Sequence, residues 1–515
     1  TYYGAMAYGV EAAAQTYFGK PVSELDLAES ALLAGLPQAP ALYNPFTDLE
    51  AARRRQAVVL ERMEREGYLD AGQKELAARE RLVLAGTPYP MEAPHFVMMV
   101  LAWLDEMQAN GALGRRGDWT VRTSLDLNWQ RNAERAVRRQ LEALRRSDDG
   151  LGHNVNNGAL VALDPNSGEI VALVGSPDYF DAANQGAINM ALAPRQPGSA
   201  LKPLVYAAAL DPAAPHPWTV GTMILDVRTA FETHEGRPYL PENYDRKEHG
   251  PVLVRQALGS SLNIPAVATL NHTGLEKLFD LASDLGVSTL GDPHDYDLSV
   301  ALGGGAVRLV ELTGAYGAFA NGGFRVYPEF ILEVRDAEGE ILYQSEPPPR
   351  ERVLDERVAW LISDILSDND ARRLGFGPNS ALRLDRPAAV KTGTTTNFHD
   401  NWTVGYTPDL VVGVWTGNSD YRPMREIDGL TGAAPIWHEF MRSVLKGHPE
   451  RPFKRPDGLV QVEVCALSGM LPGTDCPYTR LEWFIPGTQP RRPDSLYRKV
   501  QVDTCLLYTS DAADE

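Results

Sequence analysis

At 515 residues the chain is too long for one ordinary core; a domain takes roughly 100–200 residues, so about three or four units are expected. With 44% hydrophobic and 23% charged residues it has the balance of a folded chain rather than a disordered or fibrous one. A formal charge of −19 leaves no surplus of Lys and Arg to neutralise phosphates, which excludes a general nucleic-acid partner.

In chain order, the opening residues are Ala-rich and helical in pattern. Ser23-Glu24-Leu25 and Leu27-Ala28-Glu29 open an apolar run that stops at Gly35-Leu36-Pro37, and a second amphipathic helix is predicted from Asp48 to about Glu66. The apolar run Phe96–Leu104 is half the roughly 18 residues a bilayer span needs. Thr1 follows no basic-then-apolar leader, so it is expected to be an internal starting point, with any membrane anchor outside the sequence given. Residues 76–157 are expected to be a linker region, with a strand over Trp119–Ser124 and a charged helix from Asn128 onward.

Near Gly158 two apolar runs, Ala159–Leu163 and Ile170–Gly175, flank a Pro/Asn/Gly turn and predict a β-hairpin opening a new domain over 158–448. Helical stretches are predicted at about 199–210, 251–270 and 306–321, and strands at about 387–394, 402–406 and 410–416. Strands at both ends with helices between imply an α+β domain, an antiparallel sheet covered by helices. Residues 449–504 are Pro/Gly-rich and read as a separate small unit. Cys465 and Cys476 bracket a turn-rich segment, which suits either a disulfide in an oxidising compartment or two inert thiols. The three cysteines have neither the spacing nor the nearby histidines of a zinc site, and no metal or cofactor is expected.

The residues that carry chemistry lie in the 158–448 span. Ser199-Ala200-Leu201-Lys202, Ser261-Leu262-Asn263 and Lys391-Thr392-Gly393-Thr394-Thr395 occur in that order, 62 and 130 residues apart. An isolated S-x-x-K or S-x-N is common by chance and K-T-G is somewhat rarer; the ordered set within one domain-sized span carries the reading. Gln196-Pro197-Gly198 places Ser199 at a helix start, and an i, i+3 spacing puts Lys202 on the same face, where the two heads can touch. A serine hydroxyl needs a neighbour to take its proton, and a lysine does so when burial and a second cation, here Lys391, lower its pKa. Free N–H groups at the same helix start can stabilise an oxyanion. Ser261 and Asn263 interrupt an apolar stretch and can relay a proton and bind a peptide group. Lys391, Thr392 and Thr394 can hold a carboxylate at the end of a strand, where Gly393 lets a substrate backbone lie close as an added strand.

This set resembles that of penicillin-binding proteins and class A β-lactamases. Longer stretches, among them Arg195–Pro203, Pro241-Glu242-Asn243-Tyr244-Asp245, Ala318–Gly323 and Trp402–Pro408, are similar to the transpeptidase domain of class A penicillin-binding proteins, the bifunctional wall synthases. The resemblance implies a penicillin-binding/serine β-lactamase-like fold acting on peptidoglycan stem peptides ending in D-Ala-D-Ala, and acylation by β-lactams. It makes Ser199 the acylated nucleophile, Lys202 its base, Ser261 the proton relay, Asn263 a ligand of the donor peptide, and Lys391, Thr392 and Thr394 the grip on its carboxylate. The backbone N–H groups of Ser199 and Thr394 would form the oxyanion hole.

Residues 1–75, through Tyr8–Ala14, Tyr17–Lys20 and Leu32–Pro40, resemble the end of an all-α family 51 glycosyltransferase domain. In that family the catalytic glutamate and lipid-facing basic residues lie upstream of the matching point. Glycan polymerisation from lipid II is therefore expected of a longer parent, anchored in the inner membrane and working in the periplasm, not of this chain. Val464–Gly469 with Glu482–Thr488 are similar to the start of the C-terminal domain of the 1C type. Residues 505–515 fit neither the family nor a folded continuation and read as a non-native tail, so Cys505 is given no role.

Three function classes compete: D,D-transpeptidation, hydrolysis as in a carboxypeptidase or β-lactamase, and a non-catalytic penicillin sensor. The glycosyltransferase-like segment and the chain length do not suit a compact β-lactamase. Nor does a Glu-x-x-Leu-Asn lie between Asn263 and Lys391 to activate a deacylating water. Transpeptidation is the leading expectation.

Overall fold

The structure, a computed structural model, describes residues 1–498 other than 6, 41, 47, 86–90, 115–117, 147–149, 151, 233–235, 237 and 378–379. The tail at 505–515, with Cys505, lies outside the described residues. Residues up to Pro94 form one compact unit and a second begins at His95.

The first unit holds helices α1 (Val10–Phe18), α2 (Leu27–Gly35), α3 (Leu49–Arg65) and α4 (Ala71–Arg79). α2 starts later than Ser23, which lies in a 3-10 turn. Asp26 caps it instead, accepting the Glu29 N–H while the Glu29 carboxylate takes the Asp26 N–H. α3 is capped by Asp48, where the sequence placed its start. Tyr17, Leu32, Leu36 and Leu60 lie in the core of this unit.

The second unit runs through α5 (Pro94–Ala109), β1 (Thr120–Thr123) and α6 (Leu127–Arg145) into the predicted hairpin of β2 (Asn157–Leu163) and β3 (Ile170–Val174). Then come α7 (Lys202–Ala209), β4 (Met223–Asp226), β5 (Gly250–Leu253), α8 (Val254–Gly259), α9 (Asn263–Thr273), α10 (Leu275–Asp284) and α11 (Leu309–Ala320). β6 (Ile331–Arg335) and β7 (Ile341–Gln344) join β1 in a small sheet. α12 (Glu356–Ser367), α13 (Arg373–Phe376), β8 (Ala389–Thr394), β9 (Asp400–Thr407), β10 (Leu410–Gly417) and α14 (Ala434–Val444) complete the domain. A terminal hairpin, β11 (Val460–Cys465) and β12 (Thr479–Phe484), follows. Among the described residues no helix is long and apolar enough to cross a membrane.

The centre is a five-stranded antiparallel sheet in the order β3-β2-β10-β9-β8. Every residue of β9 and β10 is buried, because α6 and α14 cover one face and α11 and α12 the other. A strand covered on both sides reads as a near-continuous apolar run, as β10 does, which is why the sequence located it. α11, sandwiched against β10, is apolar nearly all round for the same reason. The α+β layout is the one expected.

The helical stretch predicted at 251–270 is not continuous but consists of β5, α8 and α9, broken at Ser260–Leu262. Leu262 N–H reaches Ala257 C=O at 2.9 Å and Ser261 N–H reaches Leu258 C=O at 3.1 Å, with Ser261 at φ 62°. That is the helix-ending pattern whose left-handed position is usually glycine. α9 then restarts with Pro265 in its first turn, where a missing N–H has no intrahelical partner to lose.

In the terminal hairpin a disulfide joins Cys465 and Cys476, which excludes the inert-thiol alternative. Glu482 of β12, fully buried, grips Arg255 of α8 in a fork of 2.8 and 2.7 Å. Asp364 adds a third contact to that guanidinium at 2.6 Å. The hairpin is thus docked by charge on the helix that leads to Ser261. Removing one partner of a buried ion pair strands the other, so Glu482→Ala is expected to lower stability by about 3–5 kcal/mol in denaturant titration. Unchanged stability would show that Asp364, with Asp368 at 3.4 Å from the same guanidinium, suffices for Arg255.

Candidate active site

The site is assembled on the edge strand β8. Gly198 opens a 3-10 turn, Gly198–Leu201, that carries Ser199 and passes directly into α7 at Lys202. Gly198 sits at φ 56°, and a Cβ there would lie 2.6 Å from the Thr394 carbonyl oxygen and 2.8 Å from its nitrogen. A Cβ on Gly393 would lie 2.1 Å from the Pro197 carbonyl. Two glycines therefore let the backbone before Ser199 press against that of Thr394, drawing together the peptide groups named for the oxyanion hole.

Lys202 is completely buried, and its Nζ donates to Ser261 O at 2.7 Å, Leu262 O at 3.0 Å and Asn263 Oδ1 at 2.7 Å. Ser261 Oγ lies 3.5 Å away. Lys391, 1% exposed, donates to Ser261 Oγ at 2.7 Å and to the Thr392 carbonyl at 2.8 Å. Two ammonium groups thus converge on one hydroxyl. Burial first, then the Lys391 charge, hold Lys202 well below an ordinary lysine pKa, while Asp226 opposes the shift. Burial and the Arg372 guanidinium bring Lys391 down to about 7.

Ser199, Ser261, Asn263, Thr392 and Thr394 line one cleft of about 330 Å³, with Lys202 and Lys391 buried behind its wall. All eight residues named from sequence come to one place. One detail differs: no hydrogen bond joins Ser199 and Lys202. The i, i+3 spacing argument assumed an α-helix, but Ser199 lies in a tighter turn, and the buried ammonium takes the richer acceptor set of the 261–263 loop.

Sequence reasoning assigned no role to Asn243, Tyr244 and Asp245, which line the cleft, although their run was noted. Asn243 Oδ1 accepts the Asn263 N–H at 2.8 Å, and Asn263 Nδ2 donates to the Glu242 carbonyl at 2.7 Å. Leu374–Phe376 and Asp428–Leu430 also line the cleft, without any motif to announce them. Gly429 N–H donates to Thr394 Oγ1 at 2.9 Å, tying the second of these segments to β8.

A family model described as the penicillin-binding protein transpeptidase domain matches residues 158–442. One described as transglycosylase matches 1–64, and one described as the C-terminal domain of penicillin-binding protein 1A matches 455–499. The chain is 33% identical to penicillin-binding protein 2D of Bacillus subtilis over 95% of its own length and 69% of that protein's. It is 31% identical to penicillin-binding protein 1C of Escherichia coli, covering 95% of this chain and 58% of the relative, which supports the expected 1C kinship. The crystal structure of penicillin-binding protein 1A from Haemophilus influenzae superposes with a TM-score of 0.73 at 25% identity, covering 96% of this chain and 91% of the other.

The turn before Ser199 yields a test. Gly198→Ala adds a clash with Thr394 to the strain of positive φ, whereas at Gly447, φ 84°, a Cβ meets nothing within 4 Å. Left-handed strain alone costs about 1–2 kcal/mol, and overpacking about 1–3 kcal/mol more. Chemical denaturation should show Gly198→Ala to be the costlier substitution; equal losses would mean that Gly198 is not held against β8.

Proposed function

The chain belongs to the class A penicillin-binding proteins and is a serine-type D,D-transpeptidase of peptidoglycan that interacts with β-lactams; on that premise we propose the residues that carry the reaction. Ser199 Oγ attacks the carbonyl of the penultimate D-alanine, and Lys202, neutral in the productive state, takes its proton. The tetrahedral oxyanion is held by the Ser199 and Thr394 N–H groups. Ser261, between the two ammonium groups, passes a proton to the departing D-alanine amine. An amine of a second stem peptide then takes the acyl group from Ser199. Asn263 binds the donor peptide, Thr392 and Thr394 hold its terminal carboxylate as it lies along β8, Gly393 admits the turn that carries Ser199 rather than the substrate backbone, and Lys391 supplies positive charge from behind them.

The observation that carries this assignment is the pairing of two buried ammonium groups on Ser261 Oγ beside a cleft that Ser199 also lines. The disulfide supports an extracytoplasmic location, where oxidised cysteines persist. Glycan polymerisation from lipid II, with anchorage in the inner membrane, is proposed for a protein carrying the whole of the unit that residues 1–64 match.

Ser199→Ala is expected to abolish labelling by a fluorescent penicillin in a protein that stays folded; persistent labelling would move the nucleophile elsewhere. Turnover of a D-Ala-D-Ala peptide with an added amine acceptor separates transpeptidation from hydrolysis and from slow acylation without turnover. The pH profile gives an independent check. The productive state holds one proton on the lysine pair, with Lys202 neutral and Lys391 charged, so acylation should follow a bell. On its acid side both groups are charged; on its alkaline side Lys391, whose pKa is lowered to about 7, loses its proton. A flat acylation rate from about pH 5 to about pH 9 would contradict the pairing.

A further inference from the structure

Behind the lysine pair lies a carboxylate that no step above uses. Asp226, the last residue of β4, is completely buried. Asn243 Nδ2 donates to both of its oxygens at 2.8 Å, and His249 meets Asp226 Oδ2 through its backbone N–H at 3.1 Å and through Nδ1 at 2.6 Å. His249 Nε2 lies 3.2 Å from Asp245, a cleft residue. On its other side Asn243 accepts the N–H groups of Asn263 at 2.8 Å and Ile264 at 3.4 Å. Those are first-turn donors of α9, a helix without a side-chain cap of its own. Asn263 in turn accepts from Lys202.

We propose that Asp226 is a positioning residue for acyl transfer, acting through Asn243 to fix Asn263 and supplying a buried negative charge that partly offsets the Lys202 ammonium. This rests on the roles assigned above to Lys202 and Lys391. The mechanical half follows from connectivity. Asp226 fixes the Asn243 carboxamide with its Nδ2 inward and its Oδ1 toward α9, which holds the backbone N–H of Asn263, the residue whose Oδ1 receives the Lys202 ammonium.

The electrostatic half follows from surroundings. Asp226 faces Lys202 and Tyr206, one turn apart on α7, and raises the pKa of both. The other charged or titratable groups around it are His249 in contact and Asp245 beyond it, with Lys391 beside Lys202 and Arg372 acting on Lys391. The lysines and Arg372 are cationic, so an anion opposite them stabilises the charged form of Lys202.

The test measures penicillin acylation of the full chain against pH. For Asp226→Asn, which keeps the shape and an acceptor for Asn243, the acid limb of the bell should move to lower pH by about one unit, because without the anion Lys202 releases its proton more readily. For Asn243→Ala the bell should stay in place while the maximal rate falls about tenfold to a hundredfold, since Asn263 loses its support. An Asp226→Asn profile superimposable on the wild type overturns the charge role. An unchanged maximal rate in Asn243→Ala overturns the positioning role, and this variant decides if Asp226→Asn does not fold. A wild-type protein that no penicillin acylates would instead overturn the assignment of Ser199.

Discussion

The ammonium of Lys202 is completely buried, and three oxygens from the 261–263 loop take its three protons. Two are backbone carbonyls of Ser261 and Leu262, exposed because α8 ends just before them and α9 has not yet begun. A buried cation without such acceptors would be prohibitively costly, and the helix break is where the fold provides them. Ser261 accordingly occupies a left-handed conformation that glycine adopts with less strain. A glycine there would lack the hydroxyl on which both lysines converge.

From that constraint the surrounding architecture follows. β8 must be an edge strand so that one side pairs with β9 while the other meets the turn of Ser199 and leaves room for an extended substrate. Gly198 and Gly393 permit that approach, since each would collide with backbone if it carried a Cβ. α8, which delivers Ser261, is anchored at Arg255 by Glu482 of the terminal hairpin, itself closed by the Cys465–Cys476 disulfide. The small terminal unit is thereby coupled through one buried ion pair to the segment that holds the lysines. Asp226 and Asn243 anchor the same loop from the side of α9.

Much of the site was legible because its chemistry needs particular residue types in short local patterns. Ser199 with Lys202, Ser261 with Asn263, and Lys391 through Thr394 each sit within a few residues of one another, and each occurs at one end of an element whose apolar pattern is strong. The resemblance to penicillin-binding proteins rested on those same runs. Leu374–Phe376 and Asp428–Leu430 were invisible because a cleft wall is defined by what it faces across space, and their local sequence says only loop or short helix. Asn243 was seen as part of a familiar run, but its function is a bond to Asn263 across a gap in the chain, which no spacing rule encodes.

What the sequence determined by itself was the sheet, through the buried runs of β2, β9 and β10, and the identity of the groups that do chemistry, through residue type. Those follow from short-range rules: period, propensity and the reactivity of a side chain. Only the tertiary structure decided how the groups relate. The sequence placed Lys202 beside Ser199 by helical spacing, whereas the folded chain turns its ammonium to the 261–263 loop, because a buried charge goes to the strongest acceptors available. Likewise the stretch over 251–270 is apolar enough to read as one helix. Its interruption at Ser261 is met by groups from other parts of the chain, the two lysines at Ser261 and Asn243 at Asn263.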